Sequence, residues 1–122
     1  MTWLIALLGL GTTALGGWLA VDPESSPAAA FPPLNEHLIH DSAAAFLAFG
    51  VGLLIAARLP AWRFPVLALA ALWNGLHTVS HIVDVNSAET RSQGVTAVVE
   101  LAIVTVVLAA LAWRARVRAD SA

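Results

Sequence analysis

The chain has 122 residues, of which 59% are hydrophobic and only 11% are charged. Soluble domains carry about 25% charged residues, so this composition excludes a wholly water-exposed protein. The absence of cysteine excludes disulfides, iron–sulfur clusters and thiolate zinc sites. The formal net charge of -2 argues against nucleic acid as a partner, because phosphate binding needs a basic surface.

Four apolar segments follow one another along the chain, and they predict membrane spans at approximately 3–21, 35–59, 63–84 and 94–114. At about 1.5 Å per residue, each is long enough for a hydrocarbon core of about 30 Å. The first segment lacks the basic start and the cleavage site of a signal peptide, so we expect an uncleaved span. The sequence therefore predicts an all-α membrane protein, a single integral domain over 1–122 built as an antiparallel four-helix bundle.

Proline and glycine indicate where these helices begin, end and pack. Pro32 and Pro33 cannot lie inside a helix, so the second span should start just after them with Asn35 as its N-cap. Pro60 should end that span. Glycines in the first two spans are typical of close contacts between membrane helices. They are Gly9, Gly11, Gly16, Gly17, Gly50 and Gly52.

The arginines predict the orientation in the membrane. Arg58 and Arg63 flank the short second connection, and Arg114, Arg116 and Arg118 follow the fourth span. An excess of arginine marks cytoplasmic segments, so both termini should be cytoplasmic in a plasma-membrane protein.

Polar side chains concentrate in two stretches that contain all four histidines of the chain. The first, which opens the second span, carries Asn35, Glu36, His37, His40 and Asp41. In the second, Asn74, His77, His81 and Asp84 are spaced by three, four and three residues and share one helical face. Glu100 lies inside the fourth span, where an ionisable group usually faces the bundle interior. The topology brings these groups together at the outer face as a histidine–carboxylate polar centre.

Three interpretations of this centre compete. His77 and His81, with His40, Asp41 and Glu100, form a set suited to a divalent metal such as zinc, iron or copper, and a haem between facing histidines is a variant. Alternatively, Asp41, His77, His81 and Glu100 bond to one another and fix the register of the helices. The third interpretation is a wet cavity that binds a small ligand, such as a quinone or a lipid head group, or that relays protons.

The motif Asn35-Glu36-His37-Leu38 with Asp41, and the pattern His77-x-x-x-His81, resemble those of small actinobacterial four-span DoxX-like membrane proteins. The apolar run from Phe46 onward adds to the likeness. The resemblance implies that these histidines, with Asn35, Glu36 and Asp41, form a shared polar centre. His40 and Asn74 depart from the pattern. Through fold analogy alone, it also suggests a quinone-linked oxidoreductase component.

These observations predict a small accessory or ligand-binding membrane subunit, and they favour a non-enzymatic role. The alternative is a redox-type subunit with a histidine-ligated metal or haem, although no cofactor is required by the sequence. The expected surroundings are the lipid bilayer and either a homo-oligomer or a larger membrane complex.

Overall fold

The computed structural model describes residues 1–120, and for 119 and 120 it describes the backbone only. Its helices are α1 (Thr2–Val21), α2 (Glu36–Arg58), α3 (Arg63–Val83) and α4 (Arg91–Asp120). Short 3-10 turns occupy Pro23–Ser25, Pro27–Ala30 and Pro60–Trp62, and the described residues contain no strand. The all-helical prediction is confirmed.

Local hydrogen bonds explain why the helices begin where they do. The Asn35 side chain accepts a hydrogen bond from the Leu38 amide at 3.1 Å, which confirms it as the N-cap of α2. A reciprocal capping box starts α4: the Thr90 amide donates to the Gln93 side chain at 2.9 Å, and the Gln93 amide donates to the Thr90 hydroxyl at 3.3 Å. The fourth helix therefore begins three residues before its predicted start at 94, and it also continues beyond 114 through the arginines.

All four helices are long and apolar enough to cross a membrane. Their outward faces carry large aliphatic side chains instead of the charges that cover a soluble bundle. Examples that are more than half exposed are Leu7, Leu10, Leu69, Leu72, Leu76, Ile103 and Val106. This apolar exterior fits contact with a lipid bilayer.

The helices pack as two close pairs, α1 with α2 and α3 with α4, while α2 and α3 touch less and α1 hardly meets α4. Small residues bring the first pair together: Gly9 faces Gly50 and Leu54, and Gly16 faces Ala43 and Leu47. The predicted close packing is thus confirmed for Gly9, Gly16 and Gly50. Gly11 and Gly17 make no such contact within the described residues, because no atom outside their own helix lies within 4 Å of the position that a Cβ would take.

The molecule has two ends of different character. At the arginine end, which carries Arg58, Arg63, Arg114 and Arg116, the Arg63 guanidinium donates to the Thr2 hydroxyl at 3.0 Å. A core of buried apolar residues from all four helices, including Ile5, Leu53, Leu67 and Leu108, fills that half. At the loop end, the Glu89 amide donates to the Ala30 carbonyl at 2.8 Å, which joins the two longer connections. The second, smaller core there draws its buried residues from α1 and α2 only.

Candidate functional site: a cleft between the two helix pairs

A cleft of about 700 Å³ opens toward the loop end, where the two helix pairs separate. Its apolar walls come mainly from Leu7, Leu8, Leu15 and Leu19 of α1, Leu38, Ile39 and Phe46 of α2, and Leu101 and Val104 of α4. The connection between α1 and α2 covers one side with Pro27, Ala28, Phe31, Pro33 and Leu34. The polar lining consists of Thr12, Asn35, Ser42, Asn74, His77, Ser80, His81, Asp84 and Glu100. The volume lies within the range of about 300–1,000 Å³ that is typical of small-molecule sites.

The histidines of α3 belong to a column of stacked rings. His77 lies parallel to the Trp73 indole, with ring centroids 5.2 Å apart and an interplanar angle of 8°. One turn further along, the His81 ring meets His77 edge-on at 4.8 Å. Phe31 then packs edge-on against His81, also at 4.8 Å. The spacing of four residues places successive rings on one helical face, and the loop residue Phe31 closes the column.

Phe46 of α2 secures the column from the opposite helix. Its ring packs edge-on against Trp73 at 4.9 Å and against His77 at 6.0 Å. Such edge-to-face contacts stabilise by about 0.5–1.5 kcal/mol beyond the area that they bury. The cleft thus has a fixed aromatic floor between α2 and α3.

His81 contributes one nitrogen that no protein group satisfies. Its Nδ1 is buried and has no hydrogen-bond partner in the described part of the chain. A neutral imidazole has one N–H donor and one acceptor nitrogen. Because a buried N–H without an acceptor is rarer than a buried acceptor without a donor, we expect the proton on Nε2. The ring that lines the cleft then offers an N–H donor.

Asn74 joins α3 to α4 at the base of the cleft. Its side chain is 5% exposed, and its Nδ2 donates to the Leu101 carbonyl at 2.9 Å and to the Thr105 hydroxyl at 2.7 Å. The Thr78 hydroxyl donates to the Asn74 carbonyl at 2.7 Å and lies 3.2 Å from the Thr105 hydroxyl. This network links α3 to α4 through Asn74, Thr78 and Thr105. It differs from the predicted register-fixing network, because none of Asp41, His77, His81 and Glu100 takes part in it.

Two carboxylates line the cleft, Asp84 at the end of α3 and Glu100 on α4. Both residues are exposed, and neither side chain makes a hydrogen bond or ion pair with a described residue. Asp84 follows His81 by three residues and lies on the same face of α3. Glu100 therefore lines the same cleft as His77 and His81, but it is not hydrogen-bonded to either histidine.

The polar residues at the start of α2 divide between two faces. Asn35 lines the cleft, whereas Glu36, His37, His40 and Asp41 are exposed outside its lining. The His37 Nε2 lies 3.7 Å from an Asp41 carboxylate oxygen, with side chains that are 90% and 68% exposed. His37 and His40 therefore do not join His77 and His81 in this structure.

This separation bears on the metal interpretation. Within the described part of the chain, no three histidine, aspartate or glutamate side chains gather closely enough to hold a metal ion. His77 and His81 contact each other, but His40 and Asp41 lie outside the cleft and are not grouped with them. Metal or haem binding by the two histidines stays a prediction.

The fold and the cleft define a class: a helical protein with four potential membrane spans and a ligand-sized cleft between two helix pairs. Comparison with protein-family models, with curated proteins and with solved structures found no match. The resemblance to DoxX-like proteins accordingly stays a prediction from the sequence motifs.

Proposed function

We propose that the chain is a four-span plasma-membrane protein, an antiparallel bundle with both termini in the cytoplasm. The contacts between α1 and α2 support opposite directions, because Gly9 faces Gly50 while Gly16 faces Ala43. Five of the six arginines, all but Arg91, lie at the end where α1 begins and α4 ends, and the positive-inside rule assigns such an end to the cytoplasm. In this orientation the cleft opens toward the extracytoplasmic half of the bilayer.

The cleft carries the functional proposal, which is that the protein binds a small amphipathic molecule within the membrane. Its walls are mostly apolar, and a few polar groups converge at the loop end, the arrangement by which most small-molecule sites fix orientation. The Nε2–H of His81 and the carboxylates of Asp84 and Glu100 would orient a polar head, while the leucines of α1 would contact an apolar body. The Ser80 hydroxyl of the lining donates to the Leu76 carbonyl at 3.4 Å, and binding without catalysis is the function we propose.

In cellular terms this is the role of an accessory or ligand-binding subunit of the DoxX-like type. Such a subunit would act beside a second copy or within a larger membrane complex. The Gly9 and Gly16 surface of α1 is occupied by α2, so it does not supply that contact.

Two glycines of α1 allow a direct test. Gly11 lines the cleft and Gly17 does not, and both have open space where a side chain would begin. Gly11→Phe should place a benzyl group in the cleft without disturbing the packing, and Gly17→Phe serves as its matched control.

The measurement is binding of the neutral apolar fluorophore N-phenyl-1-naphthylamine to the protein in lipid nanodiscs, with empty nanodiscs subtracted. We expect saturable binding to the wild type and to Gly17→Phe, with transfer of excitation energy from tryptophan. Gly11→Phe should weaken binding by about tenfold or more, since the space is filled. Binding that does not saturate, or equal loss in both variants, would refute a binding cleft.

A further inference from the structure

We infer that the cleft selects amphiphiles with a cationic head group; the inference rests on the proposed binding function and names its ligand class. The formally charged residues of the lining are Asp84 and Glu100, both acidic. The chain has six arginines and no lysine, and all six lie within the described residues. None of them contributes to the lining of the cleft. The cleft therefore carries an excess of negative charge.

The fold keeps the arginines away from the cleft, so the negative charge of its lining is not balanced by them. Arg58 and Arg63 lie at the arginine end, where the Arg63 Nε donates to the Ala56 carbonyl at 3.2 Å. Arg91 is nearest in sequence to the cleft residues of α4, but it lies in the first turn of α4 and is exposed outside the lining. An anionic head group such as a phosphate would have to leave water beside two carboxylates and without a guanidinium to receive it.

A cationic head group would interact favourably with a carboxylate and with aromatic rings of the cleft lining. A carboxylate at membrane depth is costly unless it is paired, and Glu100 makes no ion pair with a described residue. A ligand cation would supply that partner. Phe31 and Phe46 also line the cleft, and the faces of aromatic rings attract organic cations. The walls formed by Leu7, Leu15 and Leu19 then require an apolar body.

The ligand class is thus a lipophilic organic cation, an amine or quaternary onium with aromatic or aliphatic substituents. Tetraphenylphosphonium is a suitable probe, because tetraphenylborate has nearly the same shape and the opposite charge. Each ion is titrated against bound N-phenyl-1-naphthylamine in nanodiscs, and the concentration that displaces half of the fluorophore is measured. The two ions partition differently into lipid, so each is compared between wild type and variant and not with the other.

The deciding variant is Glu100→Gln, which removes the charge and keeps the shape. Glu36→Gln is its matched control, because Glu36 is an exposed carboxylate on α2 outside the cleft. We expect Glu100→Gln to weaken displacement by tetraphenylphosphonium about fivefold, the upper range for a single exposed charge pair. Displacement by tetraphenylborate should be unchanged or stronger, and Glu36→Gln should change neither ion. Asp84→Asn should lower phosphonium affinity in the same direction.

The outcomes separate the two proposals. If the fluorophore binds saturably but Glu100→Gln alters both ions equally, or matches Glu36→Gln, the cleft exists and charge selection is refuted. If the phosphonium fails to displace the fluorophore from the wild type, the selection is also refuted. If the fluorophore itself fails to bind, the proposed function fails and this inference fails with it.

Discussion

Replacing Gly50 by alanine should separate α1 from α2 and destabilise the protein. A Cβ at position 50 would lie 2.6 Å from the Thr13 backbone nitrogen and 2.9 Å from its Cα, and it would also meet the Thr13 hydroxyl oxygen. Ordinary van der Waals contacts of a Cβ begin at 3.4 Å, so the shortest backbone distance falls about 0.8 Å short. Because two of the three atoms belong to backbone, no change of rotamer relieves the overlap.

Two opposing effects set the magnitude. Overpacking a close helix contact costs about 1–3 kcal/mol, and replacing glycine by alanine within a helix returns about 0.5–1 kcal/mol. Because the overlap is with backbone atoms, the upper part of the overpacking range, about 2–3 kcal/mol, applies, and Gly50→Ala should lower the free energy of unfolding by about 1–2.5 kcal/mol. Gly52 lies on the same helix, but its Cβ would meet only the Val66 Cγ1 at an ordinary 3.5 Å. Gly52→Ala should leave stability unchanged or raise it by up to about 1 kcal/mol.

The assay is unfolding of the purified protein in mixed micelles by increasing sodium dodecyl sulfate, followed by tryptophan fluorescence. Trp73 packs against Phe46 and Phe49, so its emission reports the tertiary structure. Adding Thr13→Ala to Gly50→Ala should restore part of the loss, because it removes the hydroxyl contact and leaves the backbone contacts. Equal stability of Gly50→Ala and wild type, or complete rescue by the second substitution, would refute the reasoning.

Three further predictions use the same unfolding assay. Asn74→Leu removes both hydrogen bonds that Asn74 donates to α4. At about 0.6 kcal/mol for each interhelical hydrogen bond in a membrane, the free energy of unfolding should fall by about 1 kcal/mol. An unchanged unfolding midpoint would mean that these hydrogen bonds do not stabilise the pair α3 and α4. His77→Ala removes the ring stacked on Trp73 and should lower the free energy of unfolding by about 0.5–1.5 kcal/mol. It should also shift the tryptophan emission spectrum, and an unaltered spectrum would contradict the stacking. His37→Ala should change stability by less than about 0.5 kcal/mol, because its contact with Asp41 is largely exposed to the surroundings. A larger loss would show that His37 belongs to the polar centre.

Most of the helix positions could be predicted from hydropathy and proline alone. The structure places α1, α2 and α3 within one residue of the predicted bounds at each end. The predicted start of α4 is three residues late, because the capping pair Thr90 and Gln93 lies in a polar stretch whose composition is typical of a loop. A serine or threonine followed three residues later by glutamine is a readable start signal, and it would have corrected the boundary. The continuation to Asp120 follows from arginine and alanine, which are good helix formers.

The candidate site could be predicted only in part, because depth in a membrane does not determine which way a helix is rotated. The sequence groups His40 and Asp41 with His81 because the predicted topology places all three at the outer face. At about 100° per residue, the cleft face of α2 runs through Asn35, Ile39 and Phe46, and His40 falls on another face. Trp73 was readable as the residue one turn before His77. Phe31 and Thr105 were not, since both act across elements far apart in sequence.

The cleft follows from uneven packing among the helices. Gly50 lets α1 and α2 approach to backbone contact, and Asn74 holds α3 against α4 through hydrogen bonds. The two pairs share a buried core only at the arginine end, where Ile5 of α1 and Leu108 of α4 join one cluster. Toward the loop end nothing comparable joins α1 to α4 in the described residues, so the pairs leave space between them. Polar groups such as Glu100, which would be costly in a packed apolar core, are tolerated because they border this space.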